Sequence, residues 1–158
     1  MAQAKRSQFA HYLNTTPEAQ TKKWVREGIG VEALSMSYNA QVDTYKTILA
    51  DEADSVFKNY DIQSSVTGKR IYRDDEIYDT LDDIRRNAKA LETQLLEIDM
   101  GKATGSAYTA TQYDVLVVID EFLGEDATIS YNVYYKNPIQ GTATITGGVP
   151  TFTETASL

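Results

Sequence analysis

Residues 115–135, VLVVIDEFLGEDATISYNVYY, contain two successive strand patterns. Val115 to Ile119 is a continuous apolar run, as expected for a strand that is covered on both faces. Gly124-Glu125-Asp126 has the composition of a turn. After the turn, apolar residues recur at every second position: Ile129, Tyr131, Val133 and Tyr135. The segment therefore predicts a β-hairpin.

Alternating apolar residues predict two more strands upstream. Residues 34–42 and residues 56–66 carry apolar side chains with a period of two, which gives a strand one buried and one solvent-facing side. We therefore expect one long strand in each range. The chain between them, from Asp43 to Asp54, is polar and acid-rich, and it predicts a long exposed loop over about residues 43–55.

Glycine- and proline-containing stretches predict where strands end. Gly147-Gly148 is a strong signal for a two-residue hairpin turn between short strands at residues 142–146 and 149–153. Turns, loops or chain breaks are also expected at Thr67–Lys69, Gly101–Thr111 and Asn137-Pro138.

One segment has the period of a helix. Its apolar residues are spaced by four, three, four and three positions and form a single stripe: Ile77, Leu81, Ile84, Ala88 and Leu91. Acids precede the stripe at residues 74–76 and bases follow at Arg85 and Arg86, which the helix dipole favours. The pattern predicts a helix over about residues 75–87 that lies on the sheet. The expected fold class is mainly β with one helix (α+β).

The N-terminal segment differs from the rest of the chain in charge. Residues 1–26 hold five bases and one acid, whereas 18 of the 23 acids lie between Asp51 and Asp126. Residues 1–22 show no sustained apolar period, so we expect an extended arm outside a single domain of residues 23–158. Removing the first 20 residues is then expected to leave the fold intact. Opposite charges on arm and body could pair between subunits.

Composition excludes several classes of protein. A length of 158 residues fits one domain. The absence of cysteine excludes a disulfide framework, a thiolate zinc site and a cysteine nucleophile. No apolar stretch reaches the roughly 18–20 residues of a membrane span, and the first residues lack the apolar segment of a secretion signal. The formal net charge of −8 has the wrong sign for gripping a phosphate backbone.

Three kinds of residue pattern could indicate a catalytic or ligand-binding site, but the residues around them do not support such a site. Gly28–Ala33 matches a dinucleotide-binding fingerprint, but a strand pattern follows where that motif needs a helix. His11 is the sole histidine, so neither a histidine metal pair nor a Ser-His-Asp triad is expected. The acidic clusters lack the spacing of a calcium loop. We therefore expect no enzymatic activity, no cofactor and no metal site.

Several segments together resemble the major tail proteins, or tail tube proteins, of siphophages. The resemblance covers nearly the whole chain from Lys23 onward. The segments that carry it are Lys23-Trp24-Val25-Arg26, Ser37-Tyr38-Asn39 with the acidic stretch after it, Asp83-Ile84-Arg85-Arg86-Asn87, Gly141-Thr142-Ala143-Thr144-Ile145 and Gly148-Val149-Pro150-Thr151-Phe152-Thr153.

The resemblance implies a β-sandwich or open barrel with a flanking helix. It implies that six copies close a ring, and that rings stack through the long hairpin loop and the terminal arms into a tail tube for DNA ejection. The implied partners are the chain itself, the tape measure protein, the tail terminator and the distal tail or baseplate proteins. Viral DNA would pass without specific binding, and no membrane is involved. The implied location is the virion tail, assembled in the host bacterial cytoplasm.

Two groups of residues are expected to serve such an assembly. Contacts between subunits and rings are expected in the arm and the exposed loop, at His11, Tyr12, Tyr45, Asp51, Glu52 and Asp54. Acids that flank core strands are expected to face the channel and repel phosphates, namely Asp99, Asp114 and Asp120. The alternatives are a tube protein of a contractile phage tail or of a secretion apparatus, and a β-barrel that binds a small ligand.

Overall fold

Ten strands and one α-helix are found in the structure, a computed structural model that describes residues 1–49 and 51–155. A short 3-10 turn at Arg6–Gln8 precedes them. The elements follow the chain as β1 (Phe9–Asn14), β2 (Trp24–Arg26), β3 (Leu34–Ser37), β4 (Ala40–Tyr45), β5 (Asp54–Tyr60), β6 (Gln63–Arg70), α1 (Glu76–Arg86), β7 (Leu91–Thr104), β8 (Ala107–Leu123), β9 (Thr128–Thr146) and β10 (Val149–Glu154).

Eight of the strands form one antiparallel sheet. Its order is β2-β1-β7-β8-β9-β6-β3, and β10 pairs with the C-terminal part of β9. The sheet coils until β10 approaches β2. Strands β4 and β5 form a separate two-stranded sheet. The prediction of a mainly-β protein with one helix is confirmed, and the continuous coiled sheet corresponds to the open-barrel form of that prediction.

The hairpin predicted over residues 115–135 is the β8–β9 pair. Val117 lies opposite Val133, and the side chains of both are buried. Val115 and Tyr131 are buried on the same face of the sheet. Leu116 and Val118, which point to the other face, are only half-buried. The run is therefore covered fully on one face and partly on the other.

Helix α1 confirms the predicted apolar stripe and the predicted start of the helix. Ile77, Leu81 and Ile84 are buried against the sheet. The side chain of Asp75 accepts a hydrogen bond of 3.1 Å from the backbone N–H of Ile77, which caps the first turn. Leu91 belongs to β7, because the chain has left the helix by Asn87.

Two cores lie on opposite faces of the sheet. The larger core is enclosed by the sheet and α1, and Leu13, Leu95 and Tyr131 are among its members. The smaller core contains Tyr12, Leu96 and Ile98 among other residues, and Trp24 and Phe152 pack against it. Adjacent residues of β1 and β7 thus contribute to different cores, as expected when successive side chains of a strand point to opposite faces.

The predicted N-terminal arm is wrong for residues 9–14, which form β1. This strand lies inside the sheet, between β2 and β7. Ala10 and Leu13 are 1% and 0% exposed. The segment is short, but it is buried on both faces, and that burial outweighs the basic charge around it. Within the predicted arm, residues 1–7 and 18–22 are exposed, and residues 18–22 belong to the connection between β1 and β2.

The long strands predicted over residues 34–42 and 56–66 are each broken in two. Asn39 adopts a positive φ of 43° between β3 and β4, and Asp61 lies between β5 and β6. The backbone N–H of Asp61 donates to the carbonyl of Asn39, and the Asn39 side chain donates to the carbonyl of Asp61. The chain therefore leaves the main sheet at Asn39 and returns at Asp61.

Two of the predicted breaks are wrong, because strands run through them, and the predicted loop at Gly101–Thr111 is shorter than expected. Thr67–Lys69 is a bulge inside β6, at which Gly68 has a φ of +68°. Strands β7 and β8 extend into Gly101–Thr111 and turn only at Gly105-Ser106. β9 continues through Asn137-Pro138, where its register with β8 shifts. Such an irregularity tolerates the missing N–H of proline.

The predicted turn at Gly147-Gly148 is confirmed. Both glycines have positive φ, +59° and +80°, as a tight two-residue hairpin requires. β10 then runs back along β9 and passes directly over Gly141. A Cβ at Gly141 would lie 2.3 Å from the Thr153 carbonyl oxygen and 2.6 Å from the Phe152 ring. Glycine at this position lets β10 close over the smaller core.

Candidate functional site

The β4–β5 hairpin projects from the domain. Every residue of both strands is exposed. The strands pair from Ala40 opposite Tyr60 to Tyr45 opposite Asp54, with an irregularity between Gln41 and Val42. The long exposed connection predicted over residues 43–55 is therefore an exposed hairpin that begins earlier and ends later; Ala50 lies outside the described residues.

The hairpin carries much of the exposed apolar surface of the chain. Val42 and Phe57 lie opposite each other on one face, whereas Tyr45 and Val56 lie on the other. The ring of Tyr60 packs edge-on against Tyr38 and at a tilt against Phe57, with centroid distances of 5.6 and 4.8 Å. All of these side chains are 45–54% exposed, and at the tip Ile48 and Leu49 are 100% and 95% exposed.

A two-stranded hairpin of this kind lacks a core of its own. Isolated hairpins are at best marginally stable in water, and a contiguous apolar surface on a soluble protein marks a contact site. Within the hairpin, the apolar groups are accompanied by one exposed cross-strand ion pair, Lys58 to Asp43 at 2.9 Å. Exposed pairs add little stability. The hairpin is therefore a surface suited to being covered by another molecule.

A second uncovered surface lies on the sheet, on the side opposite α1. It is formed by the outward residues of β7, β8, β9, β6 and β3, because their neighbours in each strand are buried in the larger core. Its members are Glu92, Gln94, Asp114, Leu116, Val118, Asn132, Tyr134, Lys136, Gln63, Ser65, Ser35 and Ser37. We call these residues the open face.

The open face is mostly polar and carries two acids and one base. Gln94, Asp114 and Lys136 lie side by side on three adjacent strands. The Asp114 carboxylate accepts a hydrogen bond of 3.0 Å from the Asn137 side chain. This surface contrasts with the buried side of the same strands, and it offers no cluster of bases that would hold a polyanion.

The residues predicted to make subunit contacts divide into two sets. Tyr45, Asp51, Glu52 and Asp54 lie in the exposed hairpin and its tip. Tyr12 is 3% exposed and belongs to the smaller core, so it is not a surface contact. His11 is also largely buried beside Glu97, its partner in the β1–β7 pairing. Residues 1–22 show no sustained apolar period, so the sequence predicts a surface position for both, whereas the structure places them in an internal strand.

Of the three acids predicted to line a channel, only Asp114 lies on the open face. Asp99 points to the opposite face of β7, where it pairs with Phe9 of β1, and its carboxylate accepts a hydrogen bond from Gly101. Asp120 sits at a bulge near the end of β8 and is exposed. The structure thus does not bring the three acids together, and Glu92 is the acid that accompanies Asp114.

A buried charged cluster, which the sequence did not indicate, joins α1 to the sheet. Lys69 and Asp75 are each 1% exposed, and Lys69 Nζ lies 2.5 Å from Asp75 Oδ2. Lys69 also donates to the carbonyl of Ile29. Removal of one member of such a pair leaves an uncompensated buried charge and typically costs about 3–5 kcal/mol. The sequence signal that could have indicated this pair is Gly68 within a strand pattern, because a glycine there marks a bulge, and the bulge turns Lys69 inward.

Glu27 and His11 are neighbouring buried titratable groups, and the backbone N–H of Glu27 donates to the carbonyl of His11 at 2.8 Å. Burial raises the pKa of Glu27 to about 7, against smaller lowering effects of the Tyr131 hydroxyl and the Lys69 charge. Burial also lowers the pKa of His11 to about 4. Both groups are therefore held preferentially in their neutral forms by the folded chain.

The two groups give the stability opposite dependences on pH. For Glu27 the stabilising contribution is complete below about pH 4.5 and is lost as the pH rises through about 7. For His11 it is complete above about pH 6.5 and is lost as the pH falls towards about 4. The two dependences partly cancel in the native protein.

Substituting Glu27→Gln is expected to uncover the His11 dependence. Between about pH 4.5 and 7, the free energy of unfolding of the variant should rise relative to wild type by up to about 1.4 kcal/mol per pH unit. Urea unfolding followed by circular dichroism across this range measures the difference. His11→Gln should change the profile in the opposite sense. Parallel profiles for wild type and Glu27→Gln would contradict a buried carboxyl that titrates near neutrality.

Among residues 1–49 and 51–155, no group of three or more His, Asp or Glu side chains is arranged to hold a metal ion. No helix in the same part of the chain is long and apolar enough to cross a membrane.

Comparison with known proteins identifies the fold and no family. No protein-family model and no curated protein matches the sequence. The structure is similar to a chain in the six-fold-symmetrised cryo-EM structure of the anti-feeding prophage (AFP) baseplate, with a TM-score of 0.50 and 9% sequence identity. The similarity covers 89% of this chain and 96% of that chain. At this level of identity, the likeness establishes a shared fold.

Proposed function

We propose that the chain is a structural subunit of a phage tail, and that it polymerises as stacked rings of six copies to form the tail tube through which DNA is ejected. The observation that carries the proposal is the exposed β4–β5 hairpin, whose apolar side chains need a partner. The likeness to a chain of a six-fold-symmetrised prophage assembly supports the same reading. A tube protein of a contractile tail or of a secretion apparatus has the same requirements and is equally supported.

Free sheet edges favour ring formation. β2 and β3 are the end strands of the main sheet, and each has one side without a strand partner among the described residues. Exposed edges invite pairing with another chain, and closure of a ring satisfies all of them at once. Edge-to-edge contacts would then join the sheets of neighbouring subunits into a continuous wall.

The open face is suited to line the channel of such a ring. It lies opposite α1, so a ring with the helices outside places it inside. Its acids, Glu92 and Asp114, outnumber its single base, Lys136. Six copies at −8 each give a formal charge of −48 per ring, which disfavours adhesion of a phosphate backbone. DNA would slide past this surface without being held.

A small-ligand-binding barrel is the candidate from a different class. Such a barrel needs an internal cavity. Here the interior is filled by the side chains of the larger core, and Leu13, Leu95 and Val117 are all 0% exposed. An enzyme is also less well supported, because the titratable groups of residues 1–49 and 51–155 do not form a nucleophile–base pair. We propose a non-enzymatic role in the virion tail, with the tape measure, terminator and baseplate proteins as partners.

Negative-stain electron microscopy of the purified full chain, concentrated stepwise, tests the proposal. We expect rings, or tubes with an axial channel, because the hairpin and the sheet edges both gain partners on association. Sedimentation of the same samples measures the polymerised fraction. A chain that stays a monodisperse monomer at all concentrations would contradict the proposal.

A further inference from the structure

An open groove separates the N-terminal side of β1 from the start of β3. Its volume is about 1100 Å³, which is at or above the upper end of the range for small-molecule pockets and so leaves room for a peptide segment. The groove is lined by Arg6, Phe9, His11, Arg26, Glu27 and Leu34 among other residues.

The groove combines apolar and cationic surface. Phe9 is 48% exposed, and Val31 and Leu34 are half-buried beside it. Arg6 and Arg26 are exposed and donate only to backbone carbonyls, those of Glu32 and Ser7. Neither guanidinium pairs with a carboxylate anywhere in the described chain. The groove therefore presents apolar contacts and two positive charges that have no counter-ion.

Two polar groups in the groove lack partners. The Oε1 atom of Glu27 and the Nδ1 atom of His11 are buried and accept no hydrogen bond from the described residues. Glu27 is itself 9% exposed. Because burial raises the pKa of Glu27 to about 7, this carboxyl adds less than a full negative charge to the groove. Glu32, the other acid in the lining, pairs with Arg70 at 3.0 Å. The two arginines without a carboxylate partner therefore leave the groove net positive at neutral pH.

The tip of the β4–β5 hairpin has the complementary sequence. Ile48 and Leu49 are almost completely exposed. Three acids follow within four positions, Asp51, Glu52 and Asp54, and none of them forms an ion pair in the parts of the chain that are described. The tip thus offers an apolar pair followed by carboxylates, and the groove offers an apolar surface next to two guanidinium groups.

We propose that the groove of one copy binds the hairpin tip of a second copy, with Ile48 and Leu49 against the apolar surface and the tip carboxylates at Arg6 and Arg26. The proposal rests on the assembly proposed above and names the surface that receives the hairpin. Within one chain the tip does not occupy the groove, since Ile48 is fully exposed.

Such a contact is heterologous, because a groove meets a tip and the two surfaces differ. A heterologous contact that does not close on itself propagates as a filament, and this is what stacking of rings requires. The hairpin leaves β3 after Ser37, whereas the groove flanks residues 31–35 at the start of the same strand. Each copy can therefore give a tip to one neighbour and receive a tip from another.

Disulfide crosslinking tests the contact directly, because the natural chain has no cysteine. Ala33→Cys places a thiol in the groove, and Leu49→Cys places one at the tip. The two full-length variants, one of them tagged, are mixed, concentrated and oxidised. We expect a crosslinked heterodimer at about tenfold higher yield than for a control mixture of Leu49→Cys with Glu125→Cys, since a disulfide needs Cβ atoms about 3.5–4.5 Å apart.

Charge reversal provides a second test. Arg6→Glu with Arg26→Glu is expected to raise the concentration needed for assembly by about tenfold or more, because like charges then meet. Adding Asp51→Lys and Glu52→Lys to the same chain should restore assembly. Arg73→Glu, at an exposed arginine outside the groove, is the matched control and should assemble as wild type does. Circular dichroism verifies that each variant is folded.

The possible outcomes distinguish failure of the groove proposal from failure of the proposed function. Tubes that form without the Ala33–Leu49 crosslink, and that tolerate reversal of both arginines, would overturn the groove and leave the tube role standing. A chain that never associates would overturn both. Crosslinking together with rescue by the paired reversal supports the groove as the receptor of the tip.

Discussion

Deleting residues 1–20 is expected to abolish folding. The deletion removes β1 from the interior of the sheet, between β2 and β7. Tyr12 and Leu13 are 3% and 0% exposed and belong to different cores, so both cores are opened at once. Truncation of one such side chain typically lowers the free energy of unfolding by about 2–5 kcal/mol. The whole free energy of unfolding of a domain is only about 5–15 kcal/mol.

Far-UV circular dichroism and urea unfolding of the shortened chain measure this effect. A chain that lacks only residues 1–5 is the matched control, because these residues are exposed and make few contacts with the domain. It should unfold as cooperatively as the full chain. A cooperative transition in the chain without residues 1–20 would show that β1 is dispensable and would restore the interpretation of this segment as an arm.

Replacing residues 40–60 by two glycines is expected to leave a folded protein that does not polymerise. The ends of the deletion, Asn39 and Asp61, are already hydrogen-bonded to each other, so a short connection closes the gap without strain. The hairpin adds no side chain to either core. Removing it should therefore change the free energy of unfolding by less than about 1 kcal/mol, which is typical for surface changes.

Sedimentation and electron microscopy compare the shortened chain with two hairpin variants. Asp43→Ala with Lys58→Ala removes the exposed ion pair and should still assemble, because such a pair contributes little. Ile48→Ser with Leu49→Ser removes the apolar tip and should assemble as poorly as the deletion. Normal tubes from the chain without its hairpin would contradict the central role given to this element.

The elements that could be predicted from the sequence are those whose signal is local. The stripe of α1 and its cap at Asp75 define the helix within about one residue. Gly147-Gly148 identifies its turn because the required positive φ is a property of those two residues. The β8–β9 hairpin is similarly visible, since a long apolar run and a turn lie next to each other in the chain.

The errors arise where side-chain alternation continues through a change of partner. Residues 34–42 keep a period of two across Asn39, although β3 pairs with β6 and β4 pairs with β5. Periodicity shows which side chains share a face of a strand, and it does not identify the neighbouring strand. β1 was missed for a related reason: apart from Phe9, its residues are buried or half-buried whichever face they point to, so they show no clear alternation, and basic residues surround them.

The candidate site was predictable only in part for the same reason. The acid-rich stretch predicted an exposed hairpin because charge and exposure are local properties. The groove brings together residues from the N-terminal turn, β1, β2 and β3, and the pairing of Lys69 with Asp75 depends on a bulge. Both depend on the coiling of the sheet, which no single segment encodes.

The hairpin also governs how the free subunit behaves in solution before it meets a partner. Exposed β-strands with apolar side chains are templates for uncontrolled aggregation, and charged residues beside them act as gatekeepers. Asp43, Asp51, Glu52 and Asp54 occupy that position. Their repulsion extends about 10 Å at 0.1 M salt and shrinks as salt is added. In the proposed assembly, this repulsion would supply a kinetic barrier against uncontrolled association of free subunits, so that growth would be confined to an end already formed.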